Sequence, residues 1–354
     1  MLFILYTTGK CNLRCSYCGG SFNPEVVPWS VEYNLDYLKQ LIREDDVVAF
    51  YGGEPFLNTD FIEKVMVNVE ACRWVVQTNG LLFHKIRENI LNRFDTILIS
   101  IDGVKWLTDM YRGVGVYEKI IKNVEKIREF YNGDLVARMT VTENSDIYRD
   151  VRHLLSLRLF NHVHWQLNLV WSRKWSNLWS WIEDNYKPGL RRLMDYWIEN
   201  LKKGIILGIA PFQGIMKRIV EDNFKAPPCG SGVDSFTILT DGRVVSCPIA
   251  VYEEWANVAR LPTSREILQQ YKPRLGEPCS SCSYFKICGG RCLYTHVERL
   301  WGEEGVEAVC ETSTYIIDLV YENIDKITKI LERTGIQLSE ILYPEYNNTV
   351  EIIP

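Results

Sequence analysis

The sequence predicts an α/β fold in which six strand–helix units form a parallel, barrel-like sheet, followed by a small cysteine-rich region and a C-terminal helix. Short apolar runs alternate with stretches of helical periodicity through the first half of the chain. Ten of the 11 cysteines fall into two spaced groups, the second within a Gly-, Ser- and Pro-rich stretch. With 354 residues, the chain is long enough for one large domain and one small domain.

The predicted strands are apolar nearly throughout, which is typical of strands buried on both faces of a parallel sheet. They cover residues 2–7, 47–51, 74–77, 96–101, 135–142 and 162–169. In a barrel built this way the active site lies at the carboxyl ends of the strands. Polar residues that follow these runs are therefore candidate site residues.

The intervening segments carry apolar side chains at helical spacing. Ser30 is predicted to cap a helix with an apolar face at residues 35–42, and Thr59 or Asp60 to cap the next helix. Further helices are predicted from Val116, over residues 190–203 up to Gly204, and after Cys310.

Trp171, Trp175 and Trp179 recur every four residues, with Trp181 beside them, and would form one aromatic stripe on a helix. Such a stripe packs against the barrel or forms a wall of a substrate cavity.

Charge and hydropathy exclude several classes of protein. A net charge of −5 gives no electrostatic reason to expect nucleic acid as a partner. No apolar run approaches the roughly 20 residues that span a bilayer, and residues 2–6 are too short for the core of a signal peptide. We therefore expect a cytoplasmic protein, in which an odd number of clustered cysteines indicates metal or redox chemistry.

The first cysteine group follows the first predicted strand immediately and consists of Cys11, Cys15 and Cys18, in the pattern CxxxCxxC. Three thiolates on one loop can bind three irons of a 4Fe–4S cluster, which leaves the fourth iron open to a small molecule. A structural zinc site is expected to have four protein ligands, and no further His or Cys lies nearby in the sequence.

This loop resembles the cluster motif of the radical S-adenosylmethionine (SAM) superfamily, in which the residue before the last cysteine is aromatic, here Tyr17. Gly52, Gly53 and Glu54, at the end of the second strand, resemble the GGE motif that holds the SAM amino group in this family. Glycines permit a close approach of the backbone, and a carboxylate suits an ammonium group.

Later strand ends add to the resemblance. Gln77-Thr78-Asn79-Gly80 and Ser100-Ile101-Asp102-Gly103 resemble segments that lie near SAM and substrate in this family, and Arg112-Gly113 follows. The resemblance implies that Thr78, Asn79 and Ser100 contact the cofactor and that Arg138 binds the SAM carboxylate. Asp102 and Gln77 are the candidate catalytic residues. A structural ion pair between Asp102 and Arg138 is the alternative.

The resemblance also implies a mechanism. A donor such as ferredoxin or flavodoxin would reduce the cluster, and SAM would be cleaved to methionine and a 5′-deoxyadenosyl radical that takes a hydrogen atom from the substrate.

The second cysteine group matches the spacing of the SPASM extension of radical SAM proteins, which holds two auxiliary 4Fe–4S clusters. By this resemblance Cys229, Cys247 and Cys292 hold one cluster, and the other is held by a complete set: Cys279, Cys282, Cys288 and Cys310. A zinc-ribbon-like module is the alternative.

Two such clusters need eight ligands, so the first is closed by a residue such as Asp234 or has an open iron. Cys72 is expected to be a small buried hydrophobe at the opposite face of the barrel.

The predicted organisation is a partial (β/α)6 TIM-like barrel at 1–204, a linker at 205–224, a SPASM domain at 225–315 and a helical tail at 316–354. The resemblance implies a peptide or protein substrate that receives a crosslink, an oxidation or an epimerisation. A small molecule such as a sugar or a cofactor precursor is the alternative substrate.

Two departures from the family pattern qualify the predicted function. Cys11 lies close to the start of the sequence, so leader-peptide recognition would fall to a separate protein or to the barrel itself. Sulfatase-maturing relatives carry an Asp as base directly after the second auxiliary cysteine, where this chain has Pro248. Formylglycine formation is therefore disfavoured.

Overall fold

A computed structural model describes residues 1–221 and 226–344. Its core is a parallel sheet of the six predicted strands, with the order β6-β5-β4-β3-β2-β1. The strands are β1 (Leu2–Thr8), β2 (Val47–Gly52), β3 (Arg73–Thr78), β4 (Thr96–Ser100), β5 (Asp134–Val141) and β6 (His162–Leu167). This order confirms the predicted α/β fold and brings all six carboxyl ends to one edge.

Helices cover the outer face of this sheet. Those of the barrel are α1 (Asp36–Leu41), α2 (Thr59–Asn68), α3 (Glu88–Leu91), α4 (Lys105–Arg112), α5 (Val116–Arg128), α6 (Ile147–Ser156), α7 (Leu178–Trp181), α8 (Lys187–Leu201) and α9 (Ala210–Glu221). Short 3-10 turns lie at Pro55–Leu57, Phe83–Lys85, Glu254–Ala256 and Cys279–Ser281, and a π-helical turn at Ile182–Tyr186 joins α7 to α8.

Successive side chains along each strand pack into two different hydrophobic cores, one on each face of the sheet. Phe3 and Phe50 point outward and pack in the main core beneath the helices. Leu2, Ile4 and Ala49 belong to a second cluster inside the barrel. This alternation follows from the two-residue period of a strand, and it explains why the strands read as continuous apolar runs.

The C-terminal part continues the same sheet. Strand β7 (Ser235–Ile238) pairs in parallel with β1, and β8 (Arg243–Val245) and β9 (Asn257–Arg260) add antiparallel strands beyond it. The remaining helices are α10 (Arg265–Gln270), α11 (Phe285–Cys288), α12 (Leu293–Glu298), α13 (Gly302–Thr334) and α14 (Leu338–Ile341).

These elements bear on the predicted domain boundaries. The segment predicted as a linker contains α9, and its last residues, 222–224, lie outside the described residues, as does residue 225. Cys310 lies within the 33-residue helix α13, which also carries the predicted amphipathic face. Of the predicted tail, 345–354 lie outside the described part.

Three local predictions were wrong. Helix α1 begins at Asp36 rather than after Ser30, and Asn58, not Thr59 or Asp60, caps α2 by accepting a hydrogen bond from the Phe61 amide. Cys72 lies just before β3, at the edge opposite the strands' carboxyl ends as expected, but it is exposed rather than buried.

The tryptophan stripe does not form either, because α7 begins only at Leu178. Trp175 lies in the preceding loop and packs against Trp181 and Trp301. Trp171 has a left-handed backbone conformation and is 41% exposed.

None of the helices in residues 1–221 and 226–344 is both long and apolar enough to cross a membrane.

Candidate active site

The GGE segment is pressed against the start of the cysteine loop. The Gly53 amide donates to the Thr8 carbonyl and the Glu54 amide to the Lys10 carbonyl. A Cβ atom at Gly52 would lie 2.4 Å from the Thr8 carbonyl oxygen, and one at Gly53 would lie 2.3 Å from that of Lys10. Only glycine permits this approach, which ties the end of β2 to the loop after β1.

Glu54 links this segment to the end of β3. Its carboxylate accepts hydrogen bonds from the Thr78 hydroxyl at 2.7 Å, the Asn79 amide at 2.8 Å and the Phe56 amide at 3.1 Å. Burial raises the pKa of Glu54 to about 7, and these donors oppose the rise. An ammonium group beside it would favour its ionised form, as expected for the SAM amino group.

Asp102 holds the cysteine loop through Tyr17 and Arg112. Arg112 donates to both carboxylate oxygens, at 2.7 and 2.8 Å, and the Tyr17 hydroxyl and the Thr140 amide donate to them at 3.0 Å. The Arg112 guanidinium also lies over the Tyr17 ring. The alternative of a structural ion pair at Asp102 is therefore correct in kind and wrong in its partner, since Asp102 pairs with Arg112 and not with Arg138.

The three cysteines of the first group lie on one loop at the carboxyl edge. The Leu13 amide donates to the Cys11 sulfur at 3.4 Å. A hydrogen bond from Cys15 lowers the pKa of Cys18 to about 6 and correspondingly raises the pKa of Cys15. A thiolate is the form that binds iron, so this loop has the donor chemistry that a cluster requires.

The predicted cofactor residues line one cavity of about 320 Å³. From the predicted set it includes Cys11, Cys15, Tyr17, Cys18, Gly52, Gly53, Glu54, Gln77, Thr78, Asn79, Ser100 and Arg138. Asp102 is fully buried and is not among the described residues that line it. Its geometry thus supports a positioning role rather than the catalytic role predicted from the sequence.

The same cavity reaches the second cysteine group, where Cys229, Cys247 and Cys292 line its far side. The other four cysteines lie close to one another and are not among the described residues of the cavity wall. In addition to burial, Cys310 and Cys282 raise the pKa of Cys279, and Cys282 also raises the pKa of Cys310. The pKa of Cys288 is raised in turn by burial, Cys279 and Cys310. This division into three and four agrees with the two ligand sets that the resemblance implies. The residues present therefore fit two clusters.

Within residues 1–221 and 226–344, no three His, Cys, Asp or Glu side chains are arranged to hold one metal ion. The thiolates of a 4Fe–4S cluster bind different irons and so need not converge on one point.

Asp234 is not among the described residues of the cavity wall, whereas Ser231 is, and its hydroxyl lies 3.2 Å from the Cys229 sulfur.

Several residues of the cavity wall were not predicted. Gln166 is the last residue but one of β6 and Asn168 directly follows that strand, where polar residues at the end of an apolar run were the available signal. Arg291 had no such signal, because its place on the wall depends on the fold of the cysteine-rich region. Arg138 contacts the Nδ1 atom of His164 on β6.

Known proteins resemble this chain in sequence over the region that contains the site. Residues 5–155 match the sequence profile of the Radical SAM superfamily. The cysteine-type anaerobic sulfatase-maturating enzyme of Clostridium perfringens (strain 13) is 25% identical over 335 residues, which cover 82% of this chain and 88% of that protein. Its counterpart in Clostridium novyi is 22% identical over 380 residues, covering 93% of this chain and 96% of that protein.

Solved structures share the fold. Native anSMEcpe with bound AdoMet has a TM-score of 0.72 and 20% identity, and the match covers 93% of this chain and 100% of that one. Streptococcus suis SuiB bound to its precursor peptide SuiA has a TM-score of 0.55 and 15% identity, with coverage of 85% and 73%.

The cofactors of this family are SAM and 4Fe–4S clusters, with auxiliary clusters in the SPASM members. The cysteine loop, the GGE segment and the profile match agree: residues 5–155 form a Radical SAM domain, and the chain is similar to anaerobic sulfatase-maturating enzymes over most of its length.

Proposed function

We propose that this protein modifies a side chain or Cα atom of a peptide or protein by radical chemistry. The observation that supports the proposal most directly is the continuous cavity between the first cysteine group and Cys229, Cys247 and Cys292. When bound at the first cluster and reduced by one electron, SAM supplies a 5′-deoxyadenosyl radical that takes a hydrogen atom from the substrate. The substrate would lie between the two groups of cysteines.

The residues of the wall divide into those that hold SAM and those that face the substrate. Glu54 and Arg138 would bind the ammonium and carboxylate groups of SAM, beside Thr78, Asn79 and Ser100. Gln77, Gln166 and Asn168 offer neutral donors and acceptors of the kind that bind peptide groups.

Relatives support a peptide substrate. The relative from Clostridium perfringens is a sulfatase-maturating enzyme, anSMEcpe has been solved with a Cp18Cys peptide, and SuiB with its precursor peptide. The match to the maturating enzyme covers most of both chains. We infer from this breadth that the C-terminal region, and not the barrel alone, serves a similar class of substrate.

Formylglycine formation is not the reaction that we propose. Pro248 lines the cavity at the position where the resemblance implies a basic Asp, and it has no side-chain base. Glu54 is the sole carboxylate among the described residues of the cavity wall, and with three donors on it and the SAM ammonium proposed as its fourth partner it is not available as a base.

A small-molecule substrate is the second candidate. The probable GTP 3′,8-cyclase of Archaeoglobus fulgidus is 32% identical over 133 residues. That match covers only 34% of this chain, so it supports the shared barrel chemistry rather than a shared substrate.

The cluster at Cys229, Cys247 and Cys292 is the proposed contact with the substrate. Its three thiolates face the cavity, and Asp234 is not among the described residues that line it. An open iron there would accept a substrate thiolate or amide. Spectroscopy with and without substrate tests this, since ligation perturbs that cluster alone, and four protein ligands on it would contradict the idea.

The proposed partners follow from the chemistry. The first cluster needs an external electron donor such as ferredoxin or flavodoxin, and a leader peptide would be recognised by the barrel or by a separate leader-binding protein. We also propose a cytoplasmic location, because thiols must stay reduced to hold clusters.

Mass spectrometry of short peptides encoded beside the gene, co-expressed with the protein, tests the substrate class. We expect a mass change in one peptide that disappears when Cys11, Cys15 and Cys18 are all changed to Ala. Unmodified peptides, together with turnover of a small molecule by the intact enzyme, would favour the second candidate.

A further inference from the structure

Arg291 is a buried cation on the wall of the cavity, directly before Cys292 and on the side that Cys229 and Cys247 also line. The residue is only 5% exposed, and neither its Nε nor its Nη1 atom has a hydrogen-bond partner among the described residues. A buried guanidinium with unsatisfied donors is unfavourable unless an anion compensates its charge. The cavity is the space from which such an anion can reach it.

The backbone at this position favours glycine, yet the chain carries an arginine there. Gly289, Gly290 and Arg291 have φ values of 65°, 73° and 49°, all in the left-handed region. Glycine adopts this conformation freely, whereas a residue with a side chain is destabilised in it. The Arg291 side chain is therefore held on the wall at a conformational cost, and outliers of this kind cluster at functional sites.

The charges of the cavity wall are unequally distributed between its two sides. Four charged side chains lie among the described residues of the wall, namely Glu54, Arg112, Arg138 and Arg291. Arg112 pairs with the buried Asp102, and the proposed function assigns Glu54 and Arg138 to the two charged groups of SAM. The side on which the substrate would lie therefore carries the positive charge of Arg291 and no carboxylate among the described residues.

We propose that Arg291 binds the carboxylate of an acidic side chain in the peptide substrate and so selects peptides that contain Asp or Glu. The planar guanidinium presents its donors in a fork that matches the two oxygens of a carboxylate. The cluster expected at Cys292 is also an anion, but its charge is spread over several sulfur atoms, which match the fork less well. This inference rests on the proposed function and adds a specificity-determining residue to it.

The test is affinity selection from a library of short peptides of random sequence. Their C termini are amidated, so that Asp and Glu side chains provide the carboxylates. Full-length protein, reconstituted anaerobically with its clusters and SAM, is immobilised and incubated with the library without reductant, so that bound peptides stay unmodified. Mass spectrometry of the bound peptides measures the frequency of Asp and Glu relative to the library.

We expect the wild-type protein to enrich acidic peptides several-fold and Arg291→Gln to lose this enrichment. R291K should keep part of it, because Lys retains the charge but not the fork of donors. The control is Lys286→Gln, which removes an exposed cation from the same region and should select peptides as the wild type does, since solvent screens that charge.

Iron content is measured in every variant, which separates a substrate contact from a contact with the cluster. Should R291Q lose iron, R291K decides, and a reduced enrichment with full iron content supports the proposal. Unchanged enrichment in R291Q or R291K, an equal loss in K286Q, or loss of iron in both Arg291 variants would overturn it.

The wild-type result distinguishes this inference from the proposed function on which it rests. Peptides bound without a preference for Asp or Glu would overturn the role of Arg291 and leave a peptide substrate standing. Failure to bind any peptide above background would contradict the peptide substrate and this inference with it.

Discussion

At the scale of single residues, the Asp102 carboxylate accepts four hydrogen bonds. Two come from Nε and Nη2 of Arg112, one from the Tyr17 hydroxyl and one from the Thr140 backbone amide. A carboxylate offers about four acceptor positions, so none remains for a substrate proton. Tyr17 precedes Cys18, and the ion pair with Arg112 is buried. Asp102 therefore orients the loop that binds the cluster.

We expect Asp102→Asn to destabilise the protein strongly, because it leaves the Arg112 charge buried and without its partner. Breaking a buried pair in this way costs roughly 3–5 kcal/mol. Thermal unfolding of the reconstituted protein measures the effect. Asp36→Asn, at an exposed pair with Lys39, is the control and should change little. Normal stability with lost SAM cleavage in Asp102→Asn would restore a catalytic role for this residue.

We expect Glu54→Gln to weaken SAM binding without changing iron content. The variant loses the charge that faces the SAM ammonium, and a charge-assisted hydrogen bond contributes roughly 1.5–3 kcal/mol. This corresponds to about tenfold or more in affinity, measured by equilibrium binding of SAM. Glu63→Gln removes a half-buried carboxylate paired with the exposed Arg87 and should bind SAM normally. Unaltered affinity in the Glu54 variant would mean that its carboxylate only holds Thr78 and Asn79.

At the scale of elements, the barrel strands were predictable because burial on both faces makes each one a continuous apolar run. The start of α1 was not, because Leu35, which caps it, makes no side-chain hydrogen bond there and Ser30 lies outside the helix. The tryptophan spacing failed for a related reason. Trp175 reaches Trp301 of the C-terminal region from a loop, a contact between distant segments that periodicity does not report.

The residues of the site also divide into those that the sequence predicted and those that it did not. Cysteine spacing and strand-end motifs predicted residues that line the cavity, since each motif is local in sequence. The place of Arg291 on the cavity wall and the pairing of Asp102 with Arg112 depend on tertiary packing, so the sequence alone did not reveal them.

The close contact between the GGE segment, at the end of β2, and the cysteine loop, after β1, predicts that a change in one disturbs the other. Gly53→Ala would place a methyl group 2.3 Å from the Lys10 carbonyl oxygen, so the end of β2 or the loop must move. We expect loss of about four irons, those of the first cluster, while the auxiliary clusters stay. Iron and sulfide assays measure this.

Gly276→Ala is the control, because among the described residues other than its two chain neighbours no heavy atom lies within 4 Å of the added methyl group. Full iron content and normal SAM cleavage in Gly53→Ala would show that the two elements are not coupled.

At the scale of the whole molecule, the C-terminal region completes both the sheet and the cavity. Strand β7 pairs with β1, and the following strands extend the sheet beyond it. Cys229, Cys247 and Cys292 close the cavity whose other side is the cysteine loop. Helix α13 packs against α8 and α9 of the barrel and carries Cys310. The auxiliary clusters and the barrel are therefore parts of one structural unit.

This arrangement predicts the metal content of the protein. Anaerobically reconstituted protein should hold about 12 irons per chain, from three four-iron clusters. Changing Cys11, Cys15 and Cys18 together to Ala should remove about four irons and all SAM cleavage, because no ligands for the first cluster remain. Changing Cys279, Cys282, Cys288 and Cys310 should also remove about four irons, yet leave the SAM site intact if the barrel keeps its fold. Stoichiometric zinc with few irons in anaerobically prepared protein would contradict the assignment of all three clusters.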